Sequence, residues 1–378
     1  MSDRCSHCGP IDVRRACPSV GTTRGVARTL TLTWLLVLAA VSHAAAQPGG
    51  MPDHDAGDPM TTDRVASIHA FGQVDFTRQP NGLTAFAVGQ LDLFATAQLG
   101  DRIHVLTETV LEADDSNAYG VDVERLMLTF DVHPRLRLGI GRYHTAIGYY
   151  NTAYHHGAWF QTAATRPLAF RFEDDDGVLP VHEVGLSATG TFTGLDATWR
   201  WTGEIGNGHP PRGGAPVQNV TDADRGKAVN IALTGQPERW PGAHLGASFF
   251  NDWFDYAPGL QIHQQVVSVH AVWRHGPLEW LNEGAWISNR IAGGARTITP
   301  TGYVQFTREV GGVRPFARFE WRQIAPGDPV LQSPRTTVRS AGLRRELGPM
   351  ATLKAQYDHE RRDGRTGSRL IGQVAFAF

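Results

Sequence analysis

The chain has 378 residues, with 35 basic and 37 acidic side chains, a formal charge of −2 and only 19% charged residues. A composition with 41% hydrophobic and 9% aromatic residues can form a core, which excludes a disordered chain. Only one apolar run approaches the ~18 residues of a membrane helix, which excludes a polytopic helical protein, and the lack of a basic excess argues against nucleic-acid binding.

Residues 1–46 read as a cleavable signal peptide. Arg14, Arg15, Arg24 and Arg28 supply the positive region, Leu30 to Val41 the apolar one, and Ala44, Ala45 and Ala46 the small residues of a cleavage site before Gln47. The apolar run is too short for a membrane anchor. Cys5, Cys8 and Cys17 are the only cysteines, so cleavage leaves a chain without disulfides. That chain has 30 basic and 35 acidic residues, a net −5.

Residues 47–64 form a polar tail. From 65 to 378 apolar and polar residues alternate with period 2, the signature of strands with two unlike faces. In 313–322, Val313, Pro315, Ala317, Phe319 and Trp321 make one face, and Arg314, Phe316, Arg318, Glu320 and Arg322 the other. In 351–358, Leu353, Ala355 and Tyr357 oppose Thr352, Lys354, Gln356 and Asp358; in 195–202, Leu195, Ala197, Trp199 and Trp201 oppose Asp196, Thr198, Arg200 and Thr202. Turn residues divide the chain into strands near 65–77, 84–98, 102–113, 120–132, 135–143, 181–190, 194–205, 226–234, 242–252, 260–274, 278–289, 297–309, 313–324, 335–346, 350–361 and 368–378.

The connections alternate in length. Short ones are expected at 100–101, 133–134, 192–193, 276–277, 311–312 and 348–349, and longer ones at 114–119, 144–180, 206–225, 290–296, 325–334 and 362–367. The polar faces carry too many charges for a soluble core but suit a wet lumen, while the apolar faces suit lipid. The expected fold is all-β: a closed transmembrane antiparallel barrel of about 16 strands, with short periplasmic turns and long external loops. Closure removes the edges that so many strands would otherwise expose.

The final strand alternates Leu370, Gly372, Val374, Phe376 and Phe378, ending on an aromatic. With that ending, 65–378 resembles a bacterial outer-membrane porin, of the general or phosphate-selective kind. The resemblance implies export to the outer membrane, Phe378 as an assembly signal read by the barrel-assembly machinery, and a third external loop folded into the lumen. It also implies outer-membrane lipids and small hydrophilic solutes as partners, and leaves a homotrimer open.

Charge is uneven. Residues 47–210 hold a net −11 and 211–378 a net +6, so opposite signs are expected to face each other across the pore. Pore-lining residues are expected to be Arg314, Arg318, Arg322, Arg339, Lys354 and Arg200, with Arg369 on the same positive wall. Asp92 and Asp131, with Asp75, Glu108 and Asp196, form the negative wall. The long connection 144–180 is the expected constriction: its aromatics can pack on the wall, it carries Arg166 and Arg171, and Glu173, Asp174, Asp175 and Asp176 are expected to approach Arg314, Arg318 and Arg322.

Imidazoles His144, His155 and His156 could hold a transition metal, but adjacent histidines in one loop do not define a ligand set, and no metal or other cofactor is expected. No enzyme is expected either: Ser187, Ser248, Ser268 and Ser340 stand singly in strands, without a nucleophile-elbow context. The reading is a passive diffusion channel for small hydrophilic solutes or ions. The alternatives are a ligand- or metal-binding barrel and a closed structural barrel.

Overall fold

The computed structural model describes residues 66–79, 81–113, 118–154, 157–172, 175–209, 222, 226–257, 259–332 and 335–378. The expected export segment and polar tail lie outside the described residues. Sixteen strands follow in order: β1 (Ala66–Arg78), β2 (Thr84–Gln98), β3 (Ile103–Ala113), β4 (Tyr119–His133), β5 (Leu136–His144), β6 (His182–Gly194), β7 (Ala197–Gly206) and β8 (Ala228–Pro237). Then come β9 (Ala243–Ala257), β10 (Leu260–His275), β11 (Leu278–Ile291), β12 (Arg296–Arg308), β13 (Val313–Arg322), β14 (Thr336–Gly348), β15 (Ala351–Arg362) and β16 (Arg365–Ala377). A short helix α1 (Gly148–Ala153) and a 3₁₀ turn (Leu168–Phe170) lie between β5 and β6.

Each strand pairs antiparallel with its neighbours in sequence, and β1 pairs with β16 to close a barrel. Closure extends to the last residue: Ala70 N–H donates to the Phe378 carbonyl at 2.8 Å, and Phe378 N–H returns a bond to Ala70 at 2.9 Å. No edge remains to recruit another chain. The period-2 pattern sets the two faces. Leu128 and Phe130 on β4, Ile140 on β5, Ile231 on β8 and Leu343 on β14 point outward and are exposed. Apolar side chains in such number on an outer wall suit lipid rather than water. No helix among the described residues is long and apolar enough to cross a membrane.

Two connections differ from expectation. The turn expected at 192–193 falls at Leu195–Asp196, because β6 runs on to Gly194 with Phe192 opposite Trp199. Both turn residues take left-handed φ (56° and 52°), a two-residue hairpin geometry that matches strand twist. Asp196 is therefore exposed in a turn and faces no lumen. The long connection expected at 362–367 is the two-residue turn Asp363–Gly364, with φ of 45° and 82°. Asp-Gly is a pair that tolerates this geometry, so β15 and β16 extend to it.

The apolar core lies inside the barrel. The segment between β5 and β6 brings Ile147, Tyr150, Tyr154, Phe160, Phe170, Val178 and Leu179 against Phe250, Val266, Leu281, Ile287 and Tyr303 of the wall. The inward faces of β9–β12 are thus partly apolar, which gives the aromatics of the segment a wall to pack on.

Candidate functional site

The interior is organised by the segment 145–181, which hydrogen-bonds inward-facing side chains of the wall as far as β16. Asn151 Nδ2 donates to the main-chain oxygens of Thr145 (2.8 Å) and Val181 (2.9 Å), tying the two ends of the segment together. Ala146 N–H donates to Glu204 on β7 at 3.1 Å. Glu283 on β11 then accepts three bonds: from Tyr149 N–H (2.6 Å), Tyr150 N–H (2.9 Å) and the Tyr303 hydroxyl (2.6 Å). The chain can approach Glu283 because Gly148, at φ 73°, has no Cβ; one there would stand 2.6 Å from the Glu283 carboxylate. Burial raises the Tyr154 phenol above its ordinary range and pushes that of Tyr150 up to about 12, so both stay protonated. Tyr150 bonds Gln161, and Tyr154 bonds Arg274 of β10.

Beyond the helix the segment has little regular structure, and its carbonyls need donors that buried water-poor space does not supply. The wall supplies them. Arg344 donates to the carbonyls of Phe160 (3.0 Å) and Gln161 (2.9 Å). Lys354 Nζ donates to those of Ala158 and, at 3.0 Å, Ala163. Gln373 donates to Ala164 at 3.0 Å. Arg318 donates to the Thr165 carbonyl (2.9 Å) and hydroxyl (2.7 Å), while its Nε holds Glu320 at 2.8 Å. Arg322 donates to both the carbonyl and the carboxylate of Asp176, each at 2.5 Å. The inward side chains of β13–β16 therefore grip the main chain of the segment.

This arrangement places the residues singled out in the sequence. Arg318, Arg322 and Lys354 face inward and are covered by the segment; Arg322 is 0% and Lys354 1% exposed. Arg314 also shares the inward face but sits at the short-turn end, paired with Glu309 at 3.1 Å, far along β13 from Asp176's partner Arg322. Of the acidic run, Asp176 meets Arg322 and Arg362, Asp175 is exposed, and Glu173 and Asp174 lie outside the described residues. Arg166 lies 3.9 Å over the Phe172 ring, and Arg171 is half-buried. Arg369 pairs with Asp358 at 2.9 Å.

Arg339 is a correction. On β14 the even-numbered Val338, Ser340 and Arg344 face inward, so the side chain of Arg339 emerges on the exposed outer face. The inward cation of that strand is Arg344, which sequence reading missed. The signal was present: exposed Leu343 fixes the outward parity, and Arg344 follows it.

Along the acidic strands β1–β4, Asp92 is buried beside Gln90, whose amide donates to it at 3.0 Å. Arg125 Nε donates to Glu108 at 2.6 Å, and Asp75 accepts from Gln373 at 2.8 Å. Asp131 sits at the short-turn end between Arg137 (2.6 Å) and His104 (2.9 Å). Arg200 shares the inward face of Glu204 and is half-buried. Gln73, Gln90, Thr96, His104 and Asp131 on β1–β4 retain accessible surface. On β13–β16 the inward Arg318, Glu320, Arg344, Lys354, Gln356 and Gln373 are buried under the segment. Accessible inner surface thus runs along β1–β4, while Arg318, Arg322, Arg344 and Lys354 are used in holding the segment and Arg314 and Arg369 stay partly accessible. His144 ends β5 beside His182, and His155 and His156 lie outside the described residues.

A closed 16-stranded barrel, apolar outside and charged inside, with its third loop-end connection packed within, has the porin fold. Solved structures agree on the fold. An anion-selective porin from Comamonas acidovorans matches with a TM-score of 0.57 at 11% identity, over 83% of this chain and 100% of that one. The outer-membrane channel DcaP of Acinetobacter baumannii matches with 0.57 at 9% identity, over 83% and 97%. Salmonella typhi OmpF matches with 0.55 at 10% identity, over 83% and 97%. No protein-family model matches the sequence, and no curated protein matches it.

Proposed function

We propose that the protein is an outer-membrane porin through which small hydrophilic solutes or ions diffuse passively, without catalysis or cofactor. The observation that carries this reading is the segment 145–181, bonded to Glu204 and Glu283 on one side and to Arg318, Arg344 and Lys354 on the other. Such a segment narrows the lumen and leaves accessible polar surface along β1–β4. Solutes would pass by size and by exchange of hydration with that wall. In this reading residues 1–46 are removed on export, the short turns lie in the periplasm, and Phe378 is read by the assembly machinery. The outer face meets lipid or, in a homotrimer, a second copy.

A closed structural barrel is the second reading, favoured by how completely the inward faces of β13–β16 are buried. Purified protein reconstituted in a planar bilayer separates the two. Discrete ohmic steps whose size scales with salt concentration are expected. A folded protein that inserts and never conducts refutes the channel.

A further inference from the structure

At the root of the segment three strands bring two imidazoles and a carboxylate together. His144, the last residue of β5, pairs in register with His182, the first of β6, and their rings lie 5.6 Å apart at 65°. Glu124 comes from β4 by way of a bulge. Glu108 pairs with Arg125 and Thr109 with Val123, leaving Glu124 as the extra residue. Regular alternation would send Glu124 and Arg125 to opposite faces; the bulge turns both inward. Glu124 Oε2 is 2.6 Å from His182 Nε2, and one ligand atom from each of the three residues lies within 4.8 Å of the other two. The three side chains are 8% exposed or less.

We propose that His144, His182 and Glu124 form a site for a borderline divalent transition-metal cation, with Zn²⁺ as the probe. Two imidazole nitrogens and one carboxylate oxygen are a set that suits zinc, whereas Ca²⁺ and Mg²⁺ take oxygen ligands. Zinc bonds of about 2.0–2.2 Å need ligand atoms roughly 3.3 Å apart, so the widest separation closes by at most about 1.5 Å and the His182–Glu124 pair opens by about 0.7 Å, within reach of side-chain rotation. Glu108, whose carboxylate is 3.8 Å from His144 Nε2, can supply a fourth ligand, a second oxygen. Two arginines face the cluster. Arg125 is committed to Glu108 at 2.6 Å. Arg142 donates from Nε to the main-chain oxygen of Glu124 at 3.1 Å, and its guanidinium stands 3.8 Å from the carboxylate.

Position gives the site its consequence. His144 and His182 flank the segment 145–181, so a bound ion clamps both its ends. His182 also stacks on Phe172, with centroids 5.8 Å apart at 11°, and Phe172 carries the guanidinium of Arg166. An ion on His182 therefore fixes part of the segment as well as its root. The site does not depend on whether the barrel conducts.

Zn²⁺ titration of the folded, untagged barrel in detergent, followed by calorimetry, tests the proposal. One equivalent is expected, with affinity at least tenfold weaker in H144A and in E124Q, and unchanged in H155A/H156A. X-ray absorption of the Zn²⁺-loaded unmodified protein gives a result independent of how variants fold: two imidazoles and one or two oxygens in the first shell. The proposal is overturned by no saturable binding, by binding that H144A leaves intact, by binding lost in H155A/H156A, or by an oxygen-only shell.

Discussion

Glu283 is a buried anchor of the inward segment, and its replacement tests how that segment is held. Its carboxylate accepts from Tyr149 N–H, Tyr150 N–H and the Tyr303 hydroxyl, and it is buried. A hydrogen bond to a charged group contributes about 1.5–3 kcal/mol net, and a buried donor left without a partner costs about 1–3 kcal/mol. Three bonds sharing two oxygens are not additive, so about 4 kcal/mol is a reasonable total for Glu283→Ala. Tenfold corresponds to 1.4 kcal/mol, so local opening of the segment becomes roughly 10³ times more frequent. Glu283→Gln keeps one carbonyl acceptor and should lose about tenfold. Hydrogen exchange followed by mass spectrometry reads this directly as faster exchange over 145–172, with the strand amides unchanged. Exchange of that segment in Glu283→Ala within tenfold of the unmodified protein would refute the reasoning.

Arg318→Ala with Arg344→Ala removes four bonds to main- or side-chain oxygens of the segment, and should enlarge the single-channel conductance as the segment leaves the wall. Arg339→Ala should leave the reversal potential across a salt gradient unchanged, since that side chain is on the outer face. Asp131→Asn should move the same potential toward anions, because a partly exposed carboxylate at the mouth is lost while Arg137 and His104 remain. Deleting Phe378 removes the two main-chain bonds to Ala70 that complete the closure of β1 on β16, about 2 kcal/mol, and should lower the folded membrane yield, measured by heat-dependent gel mobility.

Alternation along the chain was enough to specify the wall. Period 2 assigns every residue of β13 and β15 to a face without reference to any other strand, because successive side chains of a strand must point to opposite sides. Strand number and closure followed from the same pattern, since lipid requires every strand edge to be paired. Alternation failed where it was anchored on the wrong residue or interrupted. Leu343, four positions on, carries the outward parity and puts Arg339 outside, against the expectation of an inward arginine. Leu195 and Asp196 read as strand because their left-handed φ leaves no mark on hydropathy. The interior is a different matter. That cations of β13–β15 hold carbonyls of 158–176, and meet the acidic run at Asp176, depends on contacts more than 140 residues apart in sequence. The meeting of Glu124, His144 and His182 depends on a bulge and a strand pairing. Local pattern determined which way each side chain points, because that is a property of one strand; which side chains meet was decided by register, bulge and the path of one loop, because those are set only when the whole barrel closes.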